Sequence, residues 1–148
     1  MRFIEVYRPF VGTETKFLDS VPEGSQDIAE NYWLSLDSKC LSFLIILIAI
    51  TVLGCVSYFT AYNEQPGRHY RITHWLFFYI GTIVIVLLGT AGLGYLLCPP
   101  TINGAGGLIW DIALGNFIYS ILVFGILSVL WCLFFPTNAY RIINRVKY

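Results

Sequence analysis

Three long apolar runs dominate the hydrophobic pattern of this chain: Cys40–Tyr62, Trp75–Leu97 and Leu108–Phe135. Asp111, near the beginning of the third run, is their only residue of the Asp, Glu, Lys and Arg classes. An α-helix rises about 1.5 Å per residue, so about 20 residues cross the hydrocarbon core of a bilayer. Each run is long enough, and none has the polar face of a helix at the surface of a soluble domain. The pattern predicts an all-α membrane protein with three transmembrane helices and short loops.

The chain before the first run predicts two kinds of extramembrane structure. Apolar and polar residues alternate weakly over Arg2–Val11, where Pro9 interrupts them, which favours a short edge strand or an extended arm. Farther on, Asp27 and Glu30 have the spacing of a capping box at a helix start. Apolar residues then recur at helical spacing, at Ile28, Ala29, Tyr32, Trp33 and Leu36. We expect an amphipathic interfacial helix that lies on the membrane, docks another protein, or does both.

These elements divide the chain into three parts. Residues 1–39 form the N-terminal segment with its interfacial helix, residues 40–135 the three-span bundle, and residues 136–148 a short basic tail. A chain of 148 residues has no room for a second domain of ordinary size. The first residues show neither the charged-then-apolar pattern nor the cleavage site of a signal peptide, so we expect the first span to act as the insertion signal.

Charge is scarce and unevenly distributed. Charged residues make up 12% of the chain, whereas a soluble domain carries about 25%. The formal net charge is zero, yet most of the acidic residues precede the first span. No basic stripe is present that would follow a nucleic-acid backbone, so we expect no nucleic-acid partner.

The basic residues near the spans indicate an orientation. We call side A the side of the N-terminal segment and the loop Pro99–Gly107, and side B the side of the loop Asn63–His74 and the C-terminal tail. Basic residues concentrate on side B, at Arg68, Arg71, Arg141, Arg145 and Lys147. Because short loops rich in Lys and Arg stay in the cytoplasm, we expect the C-terminus inside and the N-terminus outside, in a bacterial or organelle inner membrane. The same five side chains are candidates to bind lipid headgroups.

Small and polar residues inside the spans mark candidate contacts, since helices in lipid associate through close packing and hydrogen bonds. The candidates for helix packing or partner binding are Gly89, Gly92, Gly94, Asp111, Gly115, Asn116, and Tyr32 and Trp33 of the interfacial helix. Asp111 near its span end is either hydrated or part of a cation or partner site. The position of Asn116 favours a hydrogen bond between helices.

The sequence offers little for catalysis or cofactor binding. It contains no metalloprotease, phosphate-loop or dinucleotide motif, and its Ser, His and Asp residues fall on opposite sides of the membrane. His69 and His74 are not at the i,i+4 spacing of metal ligands on a helix, and the four cysteines lack zinc spacing. Cys40 and Cys98 share side A, where either a disulfide or two buried thiols would fit. We expect no enzymatic activity, no metal and no cofactor.

The lack of charge at mid-span decides between the function classes. A proton relay or ion-coupled transporter needs ionisable groups at depth. The sequence therefore favours a non-catalytic integral membrane subunit or accessory protein that docks into a larger complex of the secretion, respiratory or immunity type. Its partners would be other membrane subunits or a second copy, and the lipid bilayer. The alternatives are an oligomeric channel or transporter subunit with Asp111 and Asn116 near the path, and a haem-binding or enzymatic subunit using His69 and His74.

Overall fold

A computed structural model describes residues 2–65 and 71–135 of the chain. Its framework is three long helices, which are α3 (Gln26–Val56), α4 (Ile72–Leu97) and α5 (Ala105–Phe134). Shorter elements are the 3-10 turn Phe3–Tyr7, α1 (Arg8–Val11), α2 (Glu14–Asp19), the 3-10 turn Glu23–Ser25 and the π-helical turn Ser57–Tyr62. No strand occurs within the described ranges, which confirms the all-α prediction.

The three long helices are long and apolar enough to cross a membrane. Most of the residues in their apolar windows point outward, since between 17% and 28% of each window is buried inside the bundle. The outward residues include large side chains such as Ile45, Leu53, Phe77, Leu96, Leu122 and Leu133. The bundle therefore has a narrow packed centre and a broad apolar exterior.

The predicted interfacial helix is not a separate element, because α3 continues through it into the first apolar run. Its buried residues keep helical spacing from Ala29 through Leu36 and Phe43 to Cys55, without a change of phase. No proline interrupts the backbone hydrogen bonds over this length. At about 1.5 Å per residue, the 31 residues of α3 extend roughly 46 Å, which is more than the bilayer core requires.

The predicted capping box is also wrong. The N-cap of α3 is Ser25, whose side chain makes no capping hydrogen bond, and the helix begins at Gln26. Asp27 therefore lies inside the first turn. There it still favours the helix, because a carboxylate near the N-terminus interacts well with the helix dipole.

The N-terminal residues are helical turns, so the predicted edge strand or extended arm over Arg2–Val11 is wrong. The buried side chains are Ile4, Tyr7 and Val11, which follow the spacing of a helix and not that of a strand, while Val6 is exposed. Pro9 fits within the first turn of α1, where its missing N–H removes no helical hydrogen bond.

Two glycines allow α4 to approach its neighbours closely. A Cβ added at Gly54 of α3 would overlap the side chain of Thr82 on α4. One added at Gly94 of α4 would overlap Ile109 on α5. Such close backbone approach is how helices gain packing energy in lipid, where burial from water contributes little.

Candidate functional site

Asn116 on α5 lies where the parts of the bundle meet. Its Nδ2 donates hydrogen bonds to the backbone oxygen of Phe43 on α3 and to Oγ1 of Thr90 on α4, both at 2.9 Å. Its Oδ1 accepts a hydrogen bond from the Tyr7 hydroxyl at 2.7 Å. We call these four residues the Asn116 junction. A single side chain thus connects all three long helices with the N-terminal segment.

The junction is fully enclosed, which makes its hydrogen bonds necessary. Tyr7, Thr90 and Asn116 each have a relative exposure of 0%. Ile112 and Ser120, one turn before and one turn after Asn116, are buried on the same face of α5. An amide buried without partners costs about 1–3 kcal/mol, so the three bonds offset a penalty that the fold would otherwise carry.

Tyr7 reaches the junction because Gly115 leaves room for its ring. A Cβ at Gly115 would lie 3.0 Å from ring atoms of both Tyr7 and Phe10. Burial raises the pKa of Tyr7 above its ordinary value, while the hydrogen bond to Asn116 acts in the opposite direction. The hydroxyl therefore remains a neutral donor at physiological pH.

Further hydrogen bonds attach the N-terminal segment to the long helices. The Ile4 amide donates to Oδ1 of Asp37 on α3 at 2.9 Å. The Tyr119 hydroxyl on α5 donates to the backbone oxygen of Val6 at 2.5 Å. Together with Tyr7, these contacts place the segment against α3 and α5.

A ring stack and the hydroxyl of Tyr32 make further contacts at the side-A end. Phe17 of α2 stacks on Trp33 with ring centroids 5.8 Å apart. The Tyr32 hydroxyl is positioned to donate to the backbone oxygens of Cys98 at 3.1 Å and Ala105 at 3.4 Å, which lie at the two ends of the loop between α4 and α5. Tyr32 and Trp33, predicted to pack helices or bind a partner, thus pack inside the chain.

A pocket of about 190 Å³ opens beside Trp33. Arg2 and Glu14 on its wall form an ion pair at 2.6 Å, and Arg8 and Glu5 form a longer one at 3.5 Å. Both arginines are already paired and solvent-exposed, so the pocket presents no unsatisfied charge to a ligand.

The opposite end of the bundle is built from aromatic rings, which we call the aromatic cluster. Its centre is Cys55, Tyr58, Phe59 and Phe124, surrounded by Tyr62, Trp75, Phe78, Tyr79, Leu127, Trp131 and Cys132. Phe59 stacks on Trp131 at 5.4 Å, and Trp75 stacks on Tyr79 at 4.9 Å. The π-helical turn at the end of α3 lies here, where the Asn63 amide bonds to the Tyr58 oxygen five residues earlier at 2.9 Å.

Polar contacts accompany the rings of the aromatic cluster, including a hydrogen bond from the Tyr79 hydroxyl to the backbone oxygen of Ile121 at 3.3 Å. The indole N–H of Trp75 donates to Oγ of Ser128 at 3.2 Å. Tyr62 and His74 share a hydrogen bond at 2.6 Å, so His74 is engaged within the chain. Among the described residues, the buried indole nitrogen of Trp131 has no hydrogen-bond partner. Ring packing and hydrogen bonds therefore act together at this end.

The predicted glycines have different surroundings. Gly94 and Gly115 are buried at the contacts described above. Gly89 is half-buried, with Ile50 on α3 3.5 Å from where its Cβ would lie. Gly92 is exposed and has open space beside it. The structure therefore brings only some of the predicted small residues into helix contacts.

The charged and metal-binding candidates are more dispersed. Asp111 is half-buried on α5, and Arg71 is exposed at the start of α4. Arg68, His69, Arg141, Arg145 and Lys147 lie outside the described residues. Within the described ranges, no three His, Cys, Asp or Glu side chains gather as a metal site. Cys40 and Cys98 are both buried thiols, so the possible Cys40–Cys98 disulfide is not formed.

Sequence reasoning identified Asn116 but missed its partners. The partners Tyr7, Thr90 and the Phe43 carbonyl are separated from Asn116 by between 26 and 109 positions, and no local pattern joins them. One signal was present: Ile4, Tyr7 and Val11 have helical spacing that predicts a buried face. Comparison of the chain with known protein families, curated proteins and solved structures gives no match.

Proposed function

We propose that this chain is a non-catalytic integral membrane subunit or accessory protein that docks into a larger membrane complex. The observation that carries the proposal is the contrast between the two surfaces of its long helices. The inner surface contains a polar residue whose bonds all go to its own chain, at the Asn116 junction. The outer surface is broad and apolar and is suited to lipid and to other spans.

The hydrogen bonds of Asn116 favour a structural role for this residue and not a role in ion conduction. Both amide hydrogens are donated within the bundle, and the oxygen accepts from Tyr7. A pore-lining amide would instead present its donors or acceptors to the ion or substrate. A channel formed by several copies would therefore have to use Asp111 and other outward residues, without Asn116.

The orientation belongs to the same proposal. The N-terminal segment and the Pro99–Gly107 loop would face outside, and Arg71 with the other side-B basic residues would lie in the cytoplasm near lipid headgroups. The compact N-terminal segment would then be displayed on the outer face of a bacterial or organelle inner membrane, where an extramembrane partner would meet it.

The test is co-purification from native membranes in mild detergent. An accessory subunit should resist carbonate extraction and should elute with unlike membrane chains at a fixed stoichiometry. Recovery in the soluble fraction, or elution alone at every detergent concentration, would contradict the proposal.

Channel function is tested on the same purified material in liposomes. Ion flux that persists in the wild-type protein and is lost in Asp111→Asn would favour the rival function. A matched control is Asp27→Asn, which changes an exposed carboxylate in the first turn of α3.

A further inference from the structure

We propose that copies of this chain associate head to tail through an ion pair between Lys39 of one copy and Asp111 of the next. The proposal goes beyond the accessory role above, because it assigns one surface and its occupant. Both residues lie on the long helices near side A, one just before and one just inside an apolar run.

Neither charge has a partner among the residues that the structure describes. The ion pairs found there are Arg2–Glu14 and Arg8–Glu5, and neither Lys39 nor Asp111 makes a side-chain hydrogen bond. Both are half-buried, so part of each side chain is already removed from solvent. A charge near the bilayer is costly unless it is hydrated or paired, which favours an opposite charge nearby.

The two residues lie at nearly the same depth. α3 and α5 run in the same direction, since one reversed helix separates them, and they touch where Asn116 bonds to the Phe43 oxygen. Lys39 precedes Phe43 by four residues, and Asp111 precedes Asn116 by five. At about 1.5 Å per residue, the two positions are roughly 6 and 7.5 Å above the shared contact.

The two residues also face different flanks of the bundle. Successive residues of a helix turn by about 100°, so a residue two positions away points roughly 200° around. Asp37 holds the N-terminal segment through Ile4, so Lys39 faces away from that segment. Ile109 packs against Gly94 of α4, so Asp111 faces away from α4.

This arrangement keeps Lys39 and Asp111 apart within one chain but allows them to form an ion pair between two chains. A copy placed beside the first at the same depth can present its Asp111 to the Lys39 of its neighbour. The contact would continue toward side B over outward apolar residues of α5 such as Leu114, Ile118 and Leu122. Because both complementary charges are on every chain, the pattern favours a second copy over an unlike subunit. A repeated head-to-tail contact closes into a ring when the rotation allows it.

Zero-length carbodiimide cross-linking tests the contact directly, because it joins a carboxylate to an amine that touches it. Equal amounts of isotopically light and heavy protein are reconstituted together in lipid nanodiscs large enough for several copies. We expect a peptide that joins light Lys39 to heavy Asp111. Only light–light and heavy–heavy links at this pair would mean an intrachain contact and would overturn the proposal.

Charge exchange gives the second test. Lys39→Asp and Asp111→Lys should each lower the self-association constant roughly tenfold or more, and the double variant should recover most of it. Lys16→Asp, on the exposed surface of α2, is the matched control and should leave association unchanged. A double variant no better than either single variant would overturn the proposal.

The outcomes separate this inference from the proposed function. A chain that resists carbonate extraction and co-purifies with unlike subunits, but gives no light–heavy link, loses only the self-association. Recovery of the chain in the soluble fraction would contradict the proposed function, whatever the cross-linking shows.

Discussion

At side A the bundle combines an apolar core with a buried hydrogen-bond junction around Asn116, whereas at side B stacked aromatic rings form the core. The hydrogen bonds of the Asn116 junction are directional, and each connects elements far apart in the sequence. The side-B contacts are many and tolerant of small shifts. Hydrogen bonds need a particular donor–acceptor geometry and so favour one arrangement of the helices. Ring packing also stabilises the bundle, but it is compatible with several similar arrangements. We therefore expect the two ends to respond differently to substitution.

The largest effect should come from the aromatic cluster. Phe124→Ala removes a fully buried ring that contacts Trp75 and Tyr79, and should lower the unfolding free energy by about 3 kcal/mol. Reversible unfolding in mixed micelles measures this loss. The N-terminal segment should remain docked, since Tyr7 and Asn116 are untouched. Its release in this variant would mean that the two ends are coupled.

Asn116→Ala should cost somewhat less, about 2 kcal/mol, because it removes three hydrogen bonds and leaves a small cavity. Unlike Phe124→Ala, it should also release the N-terminal segment. Limited trypsin digestion after Lys16 reports that release. The control is Asn103→Ala, which changes an exposed amide in the loop before α5. Equal digestion of the two variants would contradict the role given to the junction.

Tyr7→Phe tests the same junction with a smaller change. It removes one hydroxyl and keeps the ring against Gly115, so the cost should be about 1 kcal/mol and confined to the N-terminal segment. Hydrogen exchange at the Ile4 amide, which bonds to Asp37, is a local measurement. A loss spread evenly over α4 and α5 would contradict this account.

The wild-type protein should show a related dependence on pH. The folded pKa of Tyr7 lies above its unfolded value, so the proton that Tyr7 holds contributes stability fully below about pH 10. That stability falls as the pH rises from the unfolded toward the folded pKa. The N-terminal segment should loosen in that alkaline range, and the Tyr7→Phe variant should lack this step.

The smallest effect should come from a polar contact of the aromatic cluster. Trp75→Phe removes the indole hydrogen bond to Ser128 but keeps an aromatic ring, and should cost about 0.6 kcal/mol. Reversible unfolding of this variant and of Tyr7→Phe, side by side, compares one polar bond at each end. A larger loss for Trp75→Phe would mean that the polar bond at side B stabilises the fold more than the one at side A.

The local sequence pattern was sufficient to predict helices whose formation depends only on their own residues. The apolar runs predicted α4 and α5 within three residues of their observed ends, because length and composition alone set such helices. Local pattern failed at the N-terminus. Ile4 and Val6 suggested alternation, whereas burial of Ile4, Tyr7 and Val11 against α3 and α5 made helical turns the stable choice. The capping motif at Asp27 failed similarly, since the helix began at Gln26 without it.

The sequence by itself determined the three long apolar helices and the position of an amide in the third. Both follow from the residues inside one element, through hydrophobicity and length. Only the tertiary structure decided that Asn116 would meet Tyr7, Thr90 and the Phe43 carbonyl, and that Lys39 and Asp111 would face different flanks at one depth. These outcomes depend on how separate helices rotate and approach, which is set by packing at Gly94 and Gly115 and not by any single segment.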